Sequence, residues 1–304
     1  MLSWAALGVL IAVAGVAAYA VLVERRAYRL ARYRLDILPT GTAERIQVLH
    51  LSDLHMVSDD SRKERFIASL PKPDVVVVTG DILGEPQAVE TAVRTLRAVR
   101  GRLASLFVLG SNDLYEPRPF NYLKYFIPHD RRQPRFGRRG RSADLVRMLE
   151  SEGWVHMKNR KYDRRANGIR LEIAGLDDPY AHRADLRVGP RVVPEAFGLA
   201  VVHAPDPAPE LIALGYDLVL AGHTHGGQVR LPLVGALVTN SSLPTRFARG
   251  LVRFGPGYLH VSPGLGTSKY APFRFLCPPE ATLLELRAER TPQPRDTTSS
   301  KTAS

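Results

Sequence analysis

Five times along this chain a short apolar run stops at a side chain that can bind a metal ion. The runs are residues 46–51, 75–78, 103–109, 199–202 and 218–221. They lead into Ser52-Asp53-Leu54-His55, Thr79-Gly80-Asp81, Gly110-Ser111-Asn112-Asp113, His203-Ala204-Pro205 and Gly222-His223-Thr224-His225. Four valines in succession, at 75–78, are what a strand buried on both faces requires. Packing gives no reason for a polar ligand to close an apolar run five times over. The recurrence therefore points to one shared site.

The spacing between the runs says how they are arranged. Residues 61–70, 86–100, 143–152 and 211–214 read as helical, the second with Val89, Val93, Leu96 and Val99 on one face. Further strands are expected at 169–174, 231–238, 258–261 and 282–286. Strands alternating with helices make a mainly parallel sheet with helices outside. Sites in such sheets gather at the carboxyl ends of the strands. His223 and His225, two residues apart in extended chain, point to one side. Gly222, Gly226 and Gly227 let the backbone beside them turn sharply.

The chain has 304 residues, 45% of them hydrophobic, enough for a large core. Residues 4–23 are apolar throughout, and the first charge after them is Glu24. At ~1.5 Å per residue such a run spans a ~30 Å hydrocarbon core. Arg25, Arg26, Arg29, Arg32 and Arg34 follow, and no basic side chain precedes the run. That asymmetry favours an uncleaved single-pass anchor in a cell membrane, with the catalytic domain in the cytoplasm. A cleaved signal peptide ending at Ala18-Tyr19-Ala20 would need a basic start. The expected organisation is an anchor at 1–24, a juxtamembrane linker at 25–44, a catalytic domain at 45–287 and a disordered tail at 288–304.

The net charge is +12 and the pI about 10.1. Six arginines fall in residues 131–141, within a basic insertion expected at 117–141. Beside an anchor, such a loop suits anionic lipid. Aromatic residues are not interleaved with those arginines, which counts against nucleic acid as the partner. Cys277 is the only cysteine, so an intrachain disulfide and a cysteine-rich zinc site are excluded.

The order Asp53-x-His55, Gly80-Asp81, Gly110-Ser111-Asn112-Asp113, His203 and Gly222-His223-x-His225 resembles the calcineurin-like metallophosphoesterases. With the apolar start and Ser262-Pro263-Gly264-Leu265-Gly266-Thr267-Ser268, it looks most like the bacterial membrane-associated phosphodiesterases of that family. The resemblance implies an α/β fold, a four-layered α/β/β/α sandwich, behind an N-terminal transmembrane helix. It also implies two divalent or transition-metal ions, manganese, iron or zinc. Asp53, His55 and His225 would hold one ion, Asp81 would bridge, and His203, His223 and Asn112 would hold the second. A hydroxide shared by the ions would attack phosphorus in line with the leaving oxygen. The implied partner is a phosphorylated small molecule or lipid. Phosphodiester hydrolysis is the reading; a scaffold on a retired fold and a nuclease are the alternatives.

The third motif departs from the pattern. The family has Gly-Asn-His-Asp or Gly-Asn-His-Glu where this chain has Gly110-Ser111-Asn112-Asp113. Either Asn112 turns to the metal, or Ser111 does and Asn112 faces substrate. Asn112 and Asp113 are the catalytic candidates here, Asp113 as a substitute for the missing histidine. His50 and His260 are expected to be packing or surface residues. Asp177-Asp178-Pro179, after a strand, either caps a turn or lines the site.

Overall fold

The computed structural model describes residues 3–39, 45–119, 136–166 and 168–288. The first six-stranded sheet contains β1 (Arg29–Leu38), β2 (Ile46–Leu51), β3 (Val75–Thr79), β4 (Ala104–Val108), β5 (Val155–His156) and β14 (Glu280–Ala288). Its order is β1-β14-β2-β3-β4-β5. Strands β2 to β5 run parallel, and β14 is antiparallel to β2. The second contains β6 (Arg160–Ala166), β7 (Ile169–Gly175), β8 (Phe197–Val201), β9 (Leu218–Ala221), β12 (Gly250–Phe254) and β13 (Gly257–Val261). Its order is β12-β13-β9-β8-β7-β6, with β7, β8, β9 and β13 parallel. A short hairpin, β10 (Arg230–Leu231) and β11 (Gly235–Ala236), stands apart from both.

Alternation along the strands sorts side chains into layers. Val75 and Val77 enter the seam between the sheets, where they meet Leu171, Ile173, Leu199 and Leu220. Val76 and Val78 face outward against Ile67, Val93, Leu96 and Leu149. Those come from α2 (Ser61–Ala68), α3 (Val89–Arg97) and α5 (Ser142–Ser151). On the far side Val219 and Ala221 pack against Leu211 and Ile212 of α6 (Ala208–Ala213). The result is helix, sheet, sheet, helix. Each buried valine contributes roughly 1.5–3 kcal/mol, so strand β3, buried on both faces, holds two layers at once.

The segment expected to be a linker is a strand. Residues 29–38 pair parallel with β14 along their length. Leu35 and Leu38 enter the seam, while Arg32, Arg34 and Asp36 are exposed. The arginines hid an alternation of apolar and charged residues. The strand expected at 231–238 is instead the β10–β11 hairpin. Strands β1, β5, β6 and β12 went unread, and all four are sheet edges.

At the N-terminus, α1 (Trp4–Ala18) buries none of its residues. It continues as one 23-residue helical span, Trp4–Arg26, long and apolar enough to cross a membrane. Glu24, at its end, is buried: its carboxylate accepts the N–H groups of Leu276 and Cys277 at 3.0 and 2.6 Å. Residues 120–135 of the basic insertion and the tail from 289 lie outside the described residues. Within the described part, Arg141 pairs with Asp144 at 2.9 Å and with Glu90 at 3.5 Å.

Candidate metal centre

The carboxyl ends of β2, β3, β8 and β9 converge on one edge of the seam. Their loops are zipped together by backbone hydrogen bonds: Asp53 N–H to Gly80 at 3.0 Å, His55 N–H to Asp81 at 2.9 Å, and Gly222 N–H to His203 at 2.8 Å. Asp53, His55, Asp81, His223 and His225 all adopt left-handed backbone, with φ between 42° and 68°. Such conformations cost of order 1–3 kcal/mol each and persist only where surroundings enforce them. At Gly222 a Cβ would meet Ser52 Oγ at 1.8 Å, so only glycine passes there. Gly264 (φ 73°) lets its loop press on Asp53, where a Cβ would lie 2.6 Å from the aspartate Cβ.

One set of donors, Asp53, His55, Asp81 and His225, offers ligand atoms all within 4.8 Å of one another. His55 Nε2 lies 3.3 Å from His225 Nε2 and 3.5 Å from Asp81 Oδ2. The other Asp81 oxygen, Oδ1, lies 3.5 Å from His203 Nε2, which is 3.1 Å from His223 Nδ1. His225 Nε2 lies 3.6 Å from Asp53 Oδ1. Ligands held at ~2.0–2.1 Å from one ion sit about 2.8–3.0 Å apart in octahedral and about 3.3–3.4 Å apart in tetrahedral arrangement. The observed separations, 3.1–3.6 Å, lie at the upper end of that range and just beyond it. Nitrogens and oxygens otherwise crowded without enough protons between them fit cations placed among them.

Electrostatics divide the imidazoles into three that are neutral and one, His203, whose proton a bound ion would replace. Burial lowers His55 to about 4 and His223 to about 3, and puts His225 well below the usual range, so these imidazoles are neutral and able to coordinate. Burial alone would lower His203 too, but Asp81, Asp178 and Asp53 outweigh it and hold it up at about 9. Burial would raise Asp81, yet His203 and His55 beside it hold its carboxyl far below the carboxylate range. The donor set is thus compatible with a binuclear metal site.

Asn112 lies against the shared carboxylate. Its backbone N–H donates to Asp81 Oδ1 at 2.8 Å and its side-chain amide touches Asp81 Oδ2. Asp113, the candidate substitute for the missing histidine, is bound to backbone. Its two oxygens accept the N–H groups of Leu83 and Gly110, at 2.8 and 2.9 Å, and its side chain is fully buried. It pins α4 (Ser111–Leu114) in place and so positions Asn112.

Two features escaped the sequence reading, and the sequence leaves another, Asp178, open between capping a turn and lining the site. The first is a hydrogen-bond chain behind the site. Ser52 Oγ donates to Asp53 Oδ2 at 2.6 Å, and Thr79 Oγ1 donates to Ser52 at 2.7 Å. Thr79 must then accept from His50 Nε2 (2.8 Å), and His50 Nδ1 must accept from His260 Nδ1 (2.8 Å). The two histidines read as packing residues therefore orient a ligand carboxylate from the middle of the seam. The feature left open is Asp178. Asp177 is tied to Arg183 at 2.8 Å, whereas Asp178 Oδ2 is buried without a partner and its carboxyl is raised to about 7 by burial and by Asp81. The signal was only partial, since Asp177 and Asp178 follow strand Ile169–Gly175, whose Arg170 and Glu172 break its apolar pattern. The second unread feature is an aromatic shelf. Tyr180 tilts against His223 with ring centroids 4.8 Å apart, Phe136 meets Tyr180 at 6.1 Å, and Tyr115 stacks on Phe136 at 4.5 Å.

Two sheets packed face to face, with carboxylates and imidazoles meeting at one end of the seam, define a metal-dependent phosphoesterase. Residues 46–227 match the calcineurin-like phosphoesterase family, and the chain belongs to it. It is a hydrolase of phosphoric ester bonds. It is 28% identical over 269 residues to the phosphodiesterase YaeI of Escherichia coli, covering 85% of this chain and 88% of that one. It is 29% identical to the uncharacterized metallophosphoesterase YkuE of Bacillus subtilis, over 79% of this chain and 76% of that protein. A transmembrane protein with metallophosphoesterase domain from Bos taurus is 28% identical over 80% of this chain and 53% of its own length.

Proposed function

We propose that this chain is a membrane-anchored phosphodiesterase working with two transition-metal ions, manganese, iron or zinc. The observation that carries the reading is Asp81, whose two oxygens each face a different imidazole group at 3.5 Å, His55 on one side and His203 on the other. Asp53, His55 and His225 would hold one ion, His203, His223 and Asn112 the second, and Asp81 both. When bound, the ions would supply Lewis-acid charge at the phosphate and a water acidic enough to act near neutral pH. Aspartate, asparagine and histidine suit these metals better than calcium.

The protein's own groups do the rest. Ser52 and the His50–Thr79 chain fix the orientation of Asp53, and Asp113 fixes Asn112. No imidazole stands at the third motif to protonate a leaving group, and Asp113 is occupied with backbone. Activity should then favour acidic leaving groups, such as those of aryl diesters and diphosphates, over simple alkyl phosphates. The shelf of Tyr180, Phe136 and Tyr115 supplies a flat apolar surface beside His223 for such a group. The largely exposed apolar span Trp4–Arg26 supports a membrane anchor, and the arginines at and after its end support a cytoplasmic catalytic domain. Substrate would then be a phosphorylated small molecule or lipid at that surface, with basic side chains of the 117–141 insertion near anionic headgroups. Nucleic acid is not the expected partner.

The test is metal analysis of the full chain in detergent, alongside hydrolysis of bis-p-nitrophenyl phosphate and p-nitrophenyl phosphate with Mn²⁺. Close to two ions per chain and a preference for the diester are expected. Protein saturated with Mn²⁺, Fe or Zn²⁺ that retains none of them would falsify the reading.

A further inference from the structure

The β10–β11 hairpin has a tip that the fold does not explain. Hairpin tips are ordinarily glycine, asparagine or aspartate, which turn easily and face water. Here the tip is Pro232-Leu233-Val234. Leu233 is held in left-handed backbone (φ 64°) with its side chain fully exposed, and Val234 is 66% exposed. Leu231 and Leu237, on the flanks, are also exposed. An aliphatic side chain in that backbone conformation, packed on nothing, satisfies neither local preference nor the core.

The foot of the hairpin shows where the tip belongs. Arg230 N–H donates to Phe275 at 2.9 Å and Phe275 N–H to Gln228 at 3.0 Å. The same short segment is bound to the end of the apolar span. Arg274 N–H donates to Ala20 at 3.1 Å, and the Glu24 carboxylate takes the N–H groups of Leu276 and Cys277. The span and the hairpin are thus fastened to one strip of backbone, residues 274–277, and Leu276 between them is exposed too. Arg25 and Arg26 at the end of the span, and Arg230 at the hairpin foot, place basic groups around this apolar surface. An apolar tip above basic groups is the arrangement that lies in a membrane interface.

We propose that the hairpin tip inserts into the same bilayer that receives the anchor. The inference rests on the membrane-anchored reading above. Two attachments fix orientation where one helix would leave the domain free to swivel. The hairpin grows out of the His223–Gly227 loop, so its insertion holds the metal centre against the lipid surface. The substrate class that fits is a phosphodiester or diphosphate carried in the headgroup layer of a membrane lipid.

The test is depth-dependent fluorescence quenching on the full chain, in vesicles of phosphatidylethanolamine and phosphatidylglycerol doped with nitroxide lipids. Leu233→Cys, Val9→Cys within α1 and Val192→Cys would each carry an environment-sensitive dye; the native Cys277 is buried and unreactive by position. Val192 is 71% exposed and precedes β8, at the end of the sheet opposite the site. The expected result is several-fold stronger quenching at Leu233 by shallow nitroxides than at Val192, with Val9 quenched by deep ones. If Val9 is quenched and Leu233 behaves as Val192 does, the hairpin proposal is overturned and the anchor stands. If Val9 is not quenched, the anchor reading fails and takes the proposal with it. Dye self-quenching at Leu233 that follows protein density, without nitroxide quenching, would mean that a second copy covers the tip, and would also overturn it.

Discussion

The two sheets bring different chemistry to the site. Through β2 and β3 the first delivers the carboxylates Asp53 and Asp81 together with His55. Through β8 and β9 the second delivers three imidazoles, His203, His223 and His225. Neither half makes a closed ligand set. The halves meet across the seam, at His55–His225, His225–Asp53, His223–Asp53 and His203–Asp81. Ions bound there would therefore fasten one sheet to the other, and loading the site would be linked to the packing of the seam.

The comparison is broken most sharply at Asp81, the one carboxylate that faces imidazoles of both halves. Asp81→Asn keeps the shape and removes the charge. It should lower diesterase activity by more than the ~10–100-fold typical of losing a residue behind a metal ligand, and should empty both positions. Activity and metal content measured together check this; two retained ions in the variant would contradict the bridging assignment.

Metal removal tests the linkage itself. At a free metal concentration of 100 times Kd, a single bound ion stabilises the folded state by about 2.7 kcal/mol. Chelation should lower the melting temperature by several degrees and raise hydrogen exchange first along the seam edges of β3 and β8. Unchanged melting with and without Mn²⁺ would leave the two sheets uncoupled from the site.

A smaller effect separates the two registers of the third motif. Asn112→Ala should weaken occupancy on the second-sheet side by ~10–100-fold, about 1.4–2.7 kcal/mol, whereas Ser111→Ala should keep both ions. Titration of each variant with Mn²⁺ decides between them, and equal losses in both would sink the assignment of Asn112.

The last variant sharpens the comparison in the middle of the seam, where each sheet contributes one histidine. Burial lowers His260 to about 3 and His50 well below the usual value. Folded pKa values below the unfolded ~6.5 mean that the unfolded chain binds more protons in between. The contribution is thus fully present above pH 6.5 and is lost as pH falls from there toward about 3. His260→Gln should flatten the pH dependence of stability in that window by up to ~1.4 kcal/mol per pH unit. Denaturation midpoints of both proteins between pH 4 and 7 measure it, and parallel curves would refute it.

How much of this could be read from sequence follows burial. The central strands β3, β4, β8 and β9 carry near-continuous apolar runs because both of their faces are covered, and β2, β7, β13 and β14 are apolar at most positions. The four edge strands are charged or very short, as edges exposed to solvent tend to be; Arg29–Leu38 looked like a connector, and Arg160–Ala166 carried no strand signal. The ligand residues were legible because each closes a central strand. Their partners were not. The chain from Asp53 to His260 joins residues 207 positions apart, the difference between 260 and 53, and depends on sheet register rather than on spacing. Tyr115, Phe136 and Tyr180 are single aromatics in separate loops, and nothing local announces that they stack. Glu24 looked like the last residue of the anchor, and its burial depends on a segment some 250 residues away.

The left-handed backbone at Asp53, His55, Asp81, His223 and His225 has a consequence for the evolution of such sites. Aspartate, asparagine and histidine are the residues other than glycine that enter this conformation most readily. They are also oxygen and nitrogen donors for metals. Geometry and coordination therefore select the same small alphabet at these positions. A saturation library at Asp53 or His225, sorted only for folded protein, should already be enriched in that alphabet before any activity is asked of it. Glutamate and cysteine, good donors elsewhere, would be under-represented for reasons of backbone alone. A lineage can then exchange one metal for another by moving among a few neighbouring codons, while the route to a thiolate site from this scaffold stays largely closed.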